Sequence, residues 1–212
     1  MSEAPDARAI RADLVRSYDS TAARRDERGE PQWRDEYRIE LAATMRAEQM
    51  TRLLEIGAGS GHSATFFAGE GLSVAAIDLS PLNIERCVAK GLDARVADFA
   101  ELPFPDESFD AIWSMSCFMH APDAELTKAI AEMDRVLISG GIAVVGLWGG
   151  DGSTGMVDDE VHDPPRYFAW RTDDQVIAAF GEAFVVERFE IIPEAEDSAV
   201  DEHYQLVTMR KP

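Results

Sequence analysis

The stretch R-L-L-E-I-G-A-G-S-G, residues 52–61, constrains this chain more than any other. Residues 52–56 form an apolar run that carries a carboxylate, Glu55, near its end, which suits a buried central strand. Gly57, Gly59 and Gly61 follow, and the H-S-A-T-F-F-A after them reads as a helix. Strand, glycine turn and helix make the phosphate- or nucleotide-binding geometry of an open α/β sheet. Such a turn must bend tightly and let a ligand approach without Cβ interference. The new helix N-terminus then offers unpaired N–H groups to that ligand. A dinucleotide loop wants G-x-G-x-x-G/A, but counting from Gly57 places His62 at the last position. What stands here is E-x-G-x-G-x-G. The plain alternative is a tight strand-to-helix turn with no ligand.

The residues on either side build a consistent scaffold. Residues 7–21 read as an amphipathic helix with Ile10, Leu14 and Tyr18 on one face, broken by the polar stretch 24–31. Helical periodicity resumes over 33–50, so the first fifty residues predict a helical cap or lid on the sheet that follows. Beyond the glycine turn, L-S-V-A-A-I-D ends at Asp78 as a second strand, and Ser80 with Pro81 starts a helix. D-A-R-V-A-D reaches Asp98 as a third strand, and 109–115 is a fourth. Residues 123–137 are helical, and 141–148 are a fifth strand. Regular alternation of this kind predicts a doubly wound, mostly parallel sheet. Residues 149–166 read as a mobile loop without structure of their own. After a helix over 172–180, residues 184–192 and 203–210 are two strands with a short connection. That shortness demands antiparallel pairing, so the sheet ends in a C-terminal antiparallel hairpin. No linker divides the chain, and 1–212 reads as one domain: the cap over 1–50 and a Rossmann-like core over 51–212.

Composition enters mainly as exclusion. The formal net charge of −20 repels polyanions, so nucleic acid is a poor partner. No apolar run approaches the roughly 20 residues of a membrane span, and the polar opening M-S-E-A-P-D-A-R lacks a signal core, which points to the cytoplasm. The two cysteines, Cys87 and Cys117, make neither a disulfide framework nor a metal site. His62, His162 and His203 show no metal-ligand spacing.

The motif at Glu55–Gly61 resembles the first motif of the class I S-adenosylmethionine-dependent methyltransferases, and other segments extend the likeness. D-F-A-E-L-P-F-P-D-E-S-F-D-A-I from Asp98, S-M-S-C-F-M-H-A-P over 114–122 and R-V-L-I-S-G-G over 135–141 are all similar to family segments. Ile138 and Ser139 replace the usual lysine and proline, and Ala183 stands where glycine is usual. The likeness covers 53–192 and is most specific over 53–141. Its nearest kin are small-molecule methyltransferases of the ubiquinone/menaquinone-biosynthesis type, with a seven-stranded fold.

That resemblance implies S-adenosyl-L-methionine as cofactor and a small-molecule methyl acceptor. It implies a cofactor site of Tyr18, Glu55, Gly57, Ala58, Gly59, Gly61, Asp78, Leu79, Asp98, Phe99 and Met115. Asp78 would accept the ribose hydroxyls and Asp98 the adenine amine. The Phe99 backbone would face the ring, with Leu79 packed on it. Tyr18, in Y-D, would approach the methionine end from the lid. The [D/N]-P-P-[Y/F] of amine-methylating nucleic-acid enzymes is missing after the fourth strand, where S-M-S-C stands, and Cys117 lacks the preceding proline of a cytosine-carbon enzyme. Aligning nucleophile, methyl and sulfur supplies much of the rate in such transfers. A base matters only where the acceptor loses a proton. His120 is the candidate base, weighed against a purely structural histidine. A binding module without turnover, a tRNA-modifying methyltransferase and a dinucleotide enzyme are the competing readings. The acids of the 149–166 segment, Asp158, Asp159, Glu160 and Asp163, suggest a neutral or cationic acceptor.

Overall fold

The computed structural model describes residues 6–28, 31–159, 161–192 and 203–212. Two helices, α1 (Ala7–Arg28) and α2 (Trp33–Ala47), precede β1 (Arg52–Ile56) and α3 (His62–Gly69). Then come β2 (Ser73–Asp78), α4 (Pro81–Ala89), β3 (Asp93–Val96), β4 (Phe109–Met115), a short 3-10 turn (Phe118–His120) and α5 (Asp123–Val136). The chain continues through β5 (Leu137–Gly149), β6 (Thr154–Asp159), β7 (His162–Ala169), α6 (Asp173–Gly181), β8 (Val185–Ile192) and β9 (His203–Arg210).

Seven strands form one sheet in the order β3-β2-β1-β4-β5-β9-β8. The first five pair in parallel, and β9 runs antiparallel to both β5 and β8. The C-terminal hairpin expected from the sequence is present, and its connection lies outside the described residues. Successive residues of the central strands alternate between two cores, as the period of a strand requires. Leu54, Ile56, Ile112, Ala143 and Val145 face α5 and α6 with Phe118, Met133 and Phe180. Leu53, Ala111, Trp113 and Val144 face α2 and α3 with Leu41, Met45 and Phe67. Every residue of β4 is buried because both of its faces are covered.

Three expectations need correction. The polar stretch 24–31 does not end the first helix at residue 21, since α1 runs to Arg28. R-R-D-E-R contains no helix breaker, and the first poor helix former is Gly29, which lies outside the described residues. Secondly, 1–50 is not a uniform cap. Leu41, Ala42 and Met45 make α2 part of the helical layer against the sheet, so of the two helices it is α1 that lines the cleft at the strand ends. Thirdly, the 149–166 segment is no loop. Strands β6 and β7 form a separate antiparallel ribbon, with Met156 opposite Tyr167 and Val157 opposite Arg166. Two boundaries also shift: β3 stops at Val96, two residues before Asp98, and β5 begins at Leu137 inside the expected turn.

Helix α1 docks on that ribbon through Ile10 and Leu14 against Tyr167 and Ala169, a cluster apart from the two main cores. No helix among the described residues is long and apolar enough to cross a membrane. The separateness of this cluster makes α1 a local unit of stability. Leu14→Ala should accelerate amide exchange through residues 7–22 and leave β1 and β4 as protected as before. Equal acceleration across the sheet would show that α1 belongs to the global cooperative unit.

Candidate active site

The parallel strands lead in opposite directions from the boundary between β1 and β4, and a cleft opens beyond their carboxyl ends, where open α/β sheets bind ligands. It encloses about 660 Å³, including open solvent at its mouth. Ile56, Gly57 and Gly59 form its floor at the end of β1, and Ile77, Asp78 and Leu79 continue it from β2. Met115 ends β4 with Ser116 and Cys117 just after it, Leu14 and Tyr18 descend from α1, and Phe99 and His120 close the sides.

Gly57 and Ala58 both donate their N–H to Ile77 O at 2.9 Å, which ties the glycine turn to β2. Gly57 has φ +75°, and a Cβ there would stand 2.8 Å from both Cβ and Sγ of Cys117. Gly61, at φ +83°, caps α3 and lies outside the cleft lining. Asp78 is the junction of the floor. Its Oδ2 accepts from Gly59 N at 2.8 Å, and its Oδ1 accepts from Ser80 N at 2.8 Å and Asn83 Nδ2 at 3.3 Å. Ser80 in turn accepts Asn83 N at 3.1 Å as the α4 cap and donates its hydroxyl to Asp19 of α1.

Leu79 and Phe99 line the cleft beside Ile77 and Ala97, giving an apolar wall on the β2–β3 side. Asp98 stands outside the lining: Oδ1 accepts Ala100 N at 2.8 Å, and Oδ2 pairs with Arg11, which also reaches Glu125. Glu55 and Ala58 also lie outside the lining. The Glu55 side chain is buried behind the turn, where burial pushes its carboxyl up to about 8 while Arg38 and the Ala64 N–H pull it down. The Cys117 thiol is likewise pushed up by burial, with Asp78 and Asp98 adding to the effect, so it is no thiolate nucleophile.

At the other end of the cleft His120 is held from both nitrogens. Nδ1 lies 2.7 Å from Tyr167 O, and a carbonyl only accepts, so Nδ1 carries the hydrogen. In the neutral ring Nε2 therefore accepts from the Tyr18 hydroxyl, 2.5 Å away. Arg166 Nη1 reaches the same hydroxyl at 3.3 Å, and its Nη2 donates to Asp159 at 2.8 Å. Burial pushes the Asp159 carboxyl up, but His162, Arg166 and the amides of Val161 and His162 hold it well below the usual carboxylate range. Asp159 is thus committed to Arg166 and His162, and it does not confer a free acidic rim. Sequence reasoning missed Arg166, because 149–166 read as a loop with no partner for its side chains. It also read Ser80 only as a helix cap; nothing in the pattern marked Arg11 or Leu14 as cleft neighbours.

Residues 54–145 match the family model described as methyltransferase domain. Among curated proteins, a sarcosine/dimethylglycine N-methyltransferase of Halorhodospira halochloris is 35% identical over 126 residues, 50% of this chain and 44% of that protein. A 2-methyl-6-phytyl-1,4-hydroquinone methyltransferase of Synechocystis is 37% identical over 106 residues, 46% of this chain and 32% of that one. The matched part is thus less than half the length of either relative. A solved Burkholderia thailandensis 1,6-didemethyltoxoflavin-N1-methyltransferase, with 1,6-didemethyltoxoflavin and S-adenosylhomocysteine bound, superposes with TM-score 0.68 at 24% identity, covering 99% of this chain and 92% of that one. Residues 54–145 are thus similar to a methyltransferase domain. The fold around them is the Rossmann-like one of class I S-adenosylmethionine-dependent methyltransferases.

Two substitutions test the floor. Gly57→Ala should cost about 1–3 kcal/mol through overpacking against Cys117. Gly59→Ala, whose Cβ meets nothing within 4 Å, should cost less in the same denaturant titration. Glu55 adds a pH dependence. Its folded value of about 8 exceeds the ordinary 4.5, so its contribution is complete below about pH 4.5 and is lost as pH rises through about 8. Glu55→Gln, which cannot ionise, should therefore gain stability relative to the parent between about pH 5 and pH 8. A constant difference over that range would place the Glu55 carboxylate in a solvated setting.

Proposed function

We propose that this protein transfers a methyl group from S-adenosylmethionine to a small-molecule acceptor. The observation that carries the reading is the division of one cleft into two chemically different ends. An apolar wall of Ile77, Leu79, Ala97 and Phe99 lies beside the Asp78 carboxylate, which suits an adenosine ring and its ribose. The hydrogen-bonded Tyr18–His120 pair stands at the far end. The α3 N-terminus and glycine turn lie between them, and a Cβ on Gly59 would meet open space. This donor set fits the cofactor. When bound, S-adenosylmethionine supplies an already activated methyl group on its sulfonium.

The chain's own task is then to orient, to exclude water and to handle a proton. Asp78 accepts from the ribose while it keeps the turn in place, and Leu79 and Phe99 pack on the ring, while Asp98, outside the lining, pairs with Arg11 of α1 instead of taking the adenine amine. Glu55, Ala58 and Gly61 act one step removed, by shaping the turn. Tyr18 and Leu14 roof the cleft from α1. His120 Nε2 is covered by the Tyr18 hydroxyl, so a proton leaving the acceptor passes to the Tyr18 oxygen as Tyr18 gives its own to Nε2. A binding module would keep the first end and need no such pair. Of the acids at 158–163, Asp159 is paired with Arg166 and so does not argue for a cationic acceptor, and Glu160 lies outside the described residues.

Calorimetry should show S-adenosylhomocysteine bound, with NAD unable to compete. Asp78→Asn should weaken binding about ten- to hundredfold, the equivalent of one or two charge-assisted bonds. With labelled S-adenosylmethionine and a panel of amines, amino acids and hydroquinones, one class should accept the label. His120→Gln should slow that transfer by roughly 10²–10⁴-fold with cofactor affinity kept. Tight binding with no transfer to any acceptor would favour the binding module.

A further inference from the structure

His120 is carried by a 3-10 turn of 3 residues, Phe118–His120, between β4 and α5. So short a turn holds its own backbone weakly, because 3-10 hydrogen bonds are poorly aligned and the last carbonyls find no partner within the turn. Here the carbonyls on either side of the histidine are gripped from outside. Arg171 Nη1 donates to Phe118 O at 3.4 Å, and its Nη2 donates to Ala121 O at 2.6 Å and to Asp123 Oδ1 at 2.8 Å. One guanidinium thus spans the stretch of chain that carries His120.

We propose that Arg171 is a positioning residue for His120, fixing the turn so that Nε2 faces the Tyr18 hydroxyl. The proposal rests on the methyl-transfer reading above, in which His120 takes up the proton. Arg171 is buried, and a buried cation is costly unless its N–H groups are bonded. Its carboxylate partner Asp123 is 91% exposed, so water screens that pair. Phe118 and Ala121 are fully buried, which leaves their two carbonyls as the shielded partners of the guanidinium. The planar fork of arginine reaches both at once, whereas the single ammonium of a lysine would serve one.

Arg171 is itself anchored to the sheet. Its own carbonyl accepts Gly150 N at 3.1 Å, just past β5, and Gln205 Nε2 of β9 at 2.9 Å. Thr172, the next residue, caps α6. The histidine ring is held by the same segment, since Nδ1 donates to Tyr167 O at 2.7 Å. Residues 167–171 therefore fix His120 twice, the ring through Tyr167 and the backbone through Arg171. The direction of Nε2 is set from the sheet, and α1 brings Tyr18 to meet it.

The test reads the ring directly, by nitrogen NMR of histidine-labelled protein, with the His120 signals identified by their loss in His120→Gln. The parent should show the Nδ1–H form with a slowly exchanging proton. Arg171→Gln should speed that exchange about tenfold, the scale of one lost hydrogen bond, with β1 amides as protected as before. Arg171→Lys should fall in between, and it decides the matter if Arg171→Gln does not fold. Asp123→Asn, which leaves both carbonyl bonds, should change the exchange less than about twofold. On the acceptor that takes the label, Arg171→Gln should lower kcat about tenfold with S-adenosylhomocysteine affinity kept, yet add almost nothing in a His120→Gln background. Unchanged His120 exchange in the folded Arg171 variants would overturn the proposal, as would an equal effect of Asp123→Asn or a full further loss in the His120→Gln background. A parent that labels no acceptor would overturn the methyl-transfer reading, while the exchange comparison would still decide whether Arg171 holds the turn.

Discussion

The Asp78 carboxylate joins the two turns from which the cleft is built. One oxygen accepts the Gly59 N–H of the glycine turn, and the other accepts the Ser80 N–H and the Asn83 amide where α4 begins. Charge-assisted bonds of this type are stronger than neutral ones. The carboxylate adds to the tie that the Gly57 and Ala58 N–H groups make to Ile77 O at the end of β2. Ser80 passes the tie onward to Asp19, so floor and roof are linked through one short chain of polar groups. Any ligand that approaches Asp78 enters a network that already fixes three elements.

A second network governs the far end. Tyr18, His120, Arg166 and Asp159 come from α1, the 3-10 turn and the ribbon, and they meet only because α1 lies on β7. The chain's formal charge of −20 says nothing about this place, where a guanidinium and an imidazole hold one carboxylate and the same guanidinium reaches the Tyr18 hydroxyl. Local charge at a cleft follows pairing, and net charge describes the surface as a whole.

These two ends differ in how far the sequence revealed them. The glycine turn, Asp78 and Leu79 follow strands whose burial is written in apolar runs, and their spacing fixes their places at the strands' carboxyl ends, whereas Phe99 follows the largely exposed β3 and was marked by its motif alone. The ribbon was hidden for a physical reason. Pro164 and Pro165 lower the strand signal of 162–169, yet a two-stranded ribbon has open edges on which a missing N–H costs little. The continuation of α1 to Arg28 was hidden because a run of charged side chains reads as loop while each member is compatible with a helix. Partners such as Arg11 for Asp98, or Arg34 for Ser116, depend on packing across more than eighty residues and leave no local trace.

The docking of α1 on β7 has a consequence for how such a protein can diversify. Ile10 and Leu14 lie near the start of the chain, Tyr167 and Ala169 some 150 residues later, yet they form one small cluster independent of the sheet's cores. The roof helix and the ribbon therefore share a packing surface of their own, although Phe168 of β7 also reaches the main core. A new ribbon grafted alone would leave the helix against a mismatched wall. Exchange of both together would keep that packing, provided that the new helix also kept the Asp19 contact to Ser80 that ties it to the floor of the cleft.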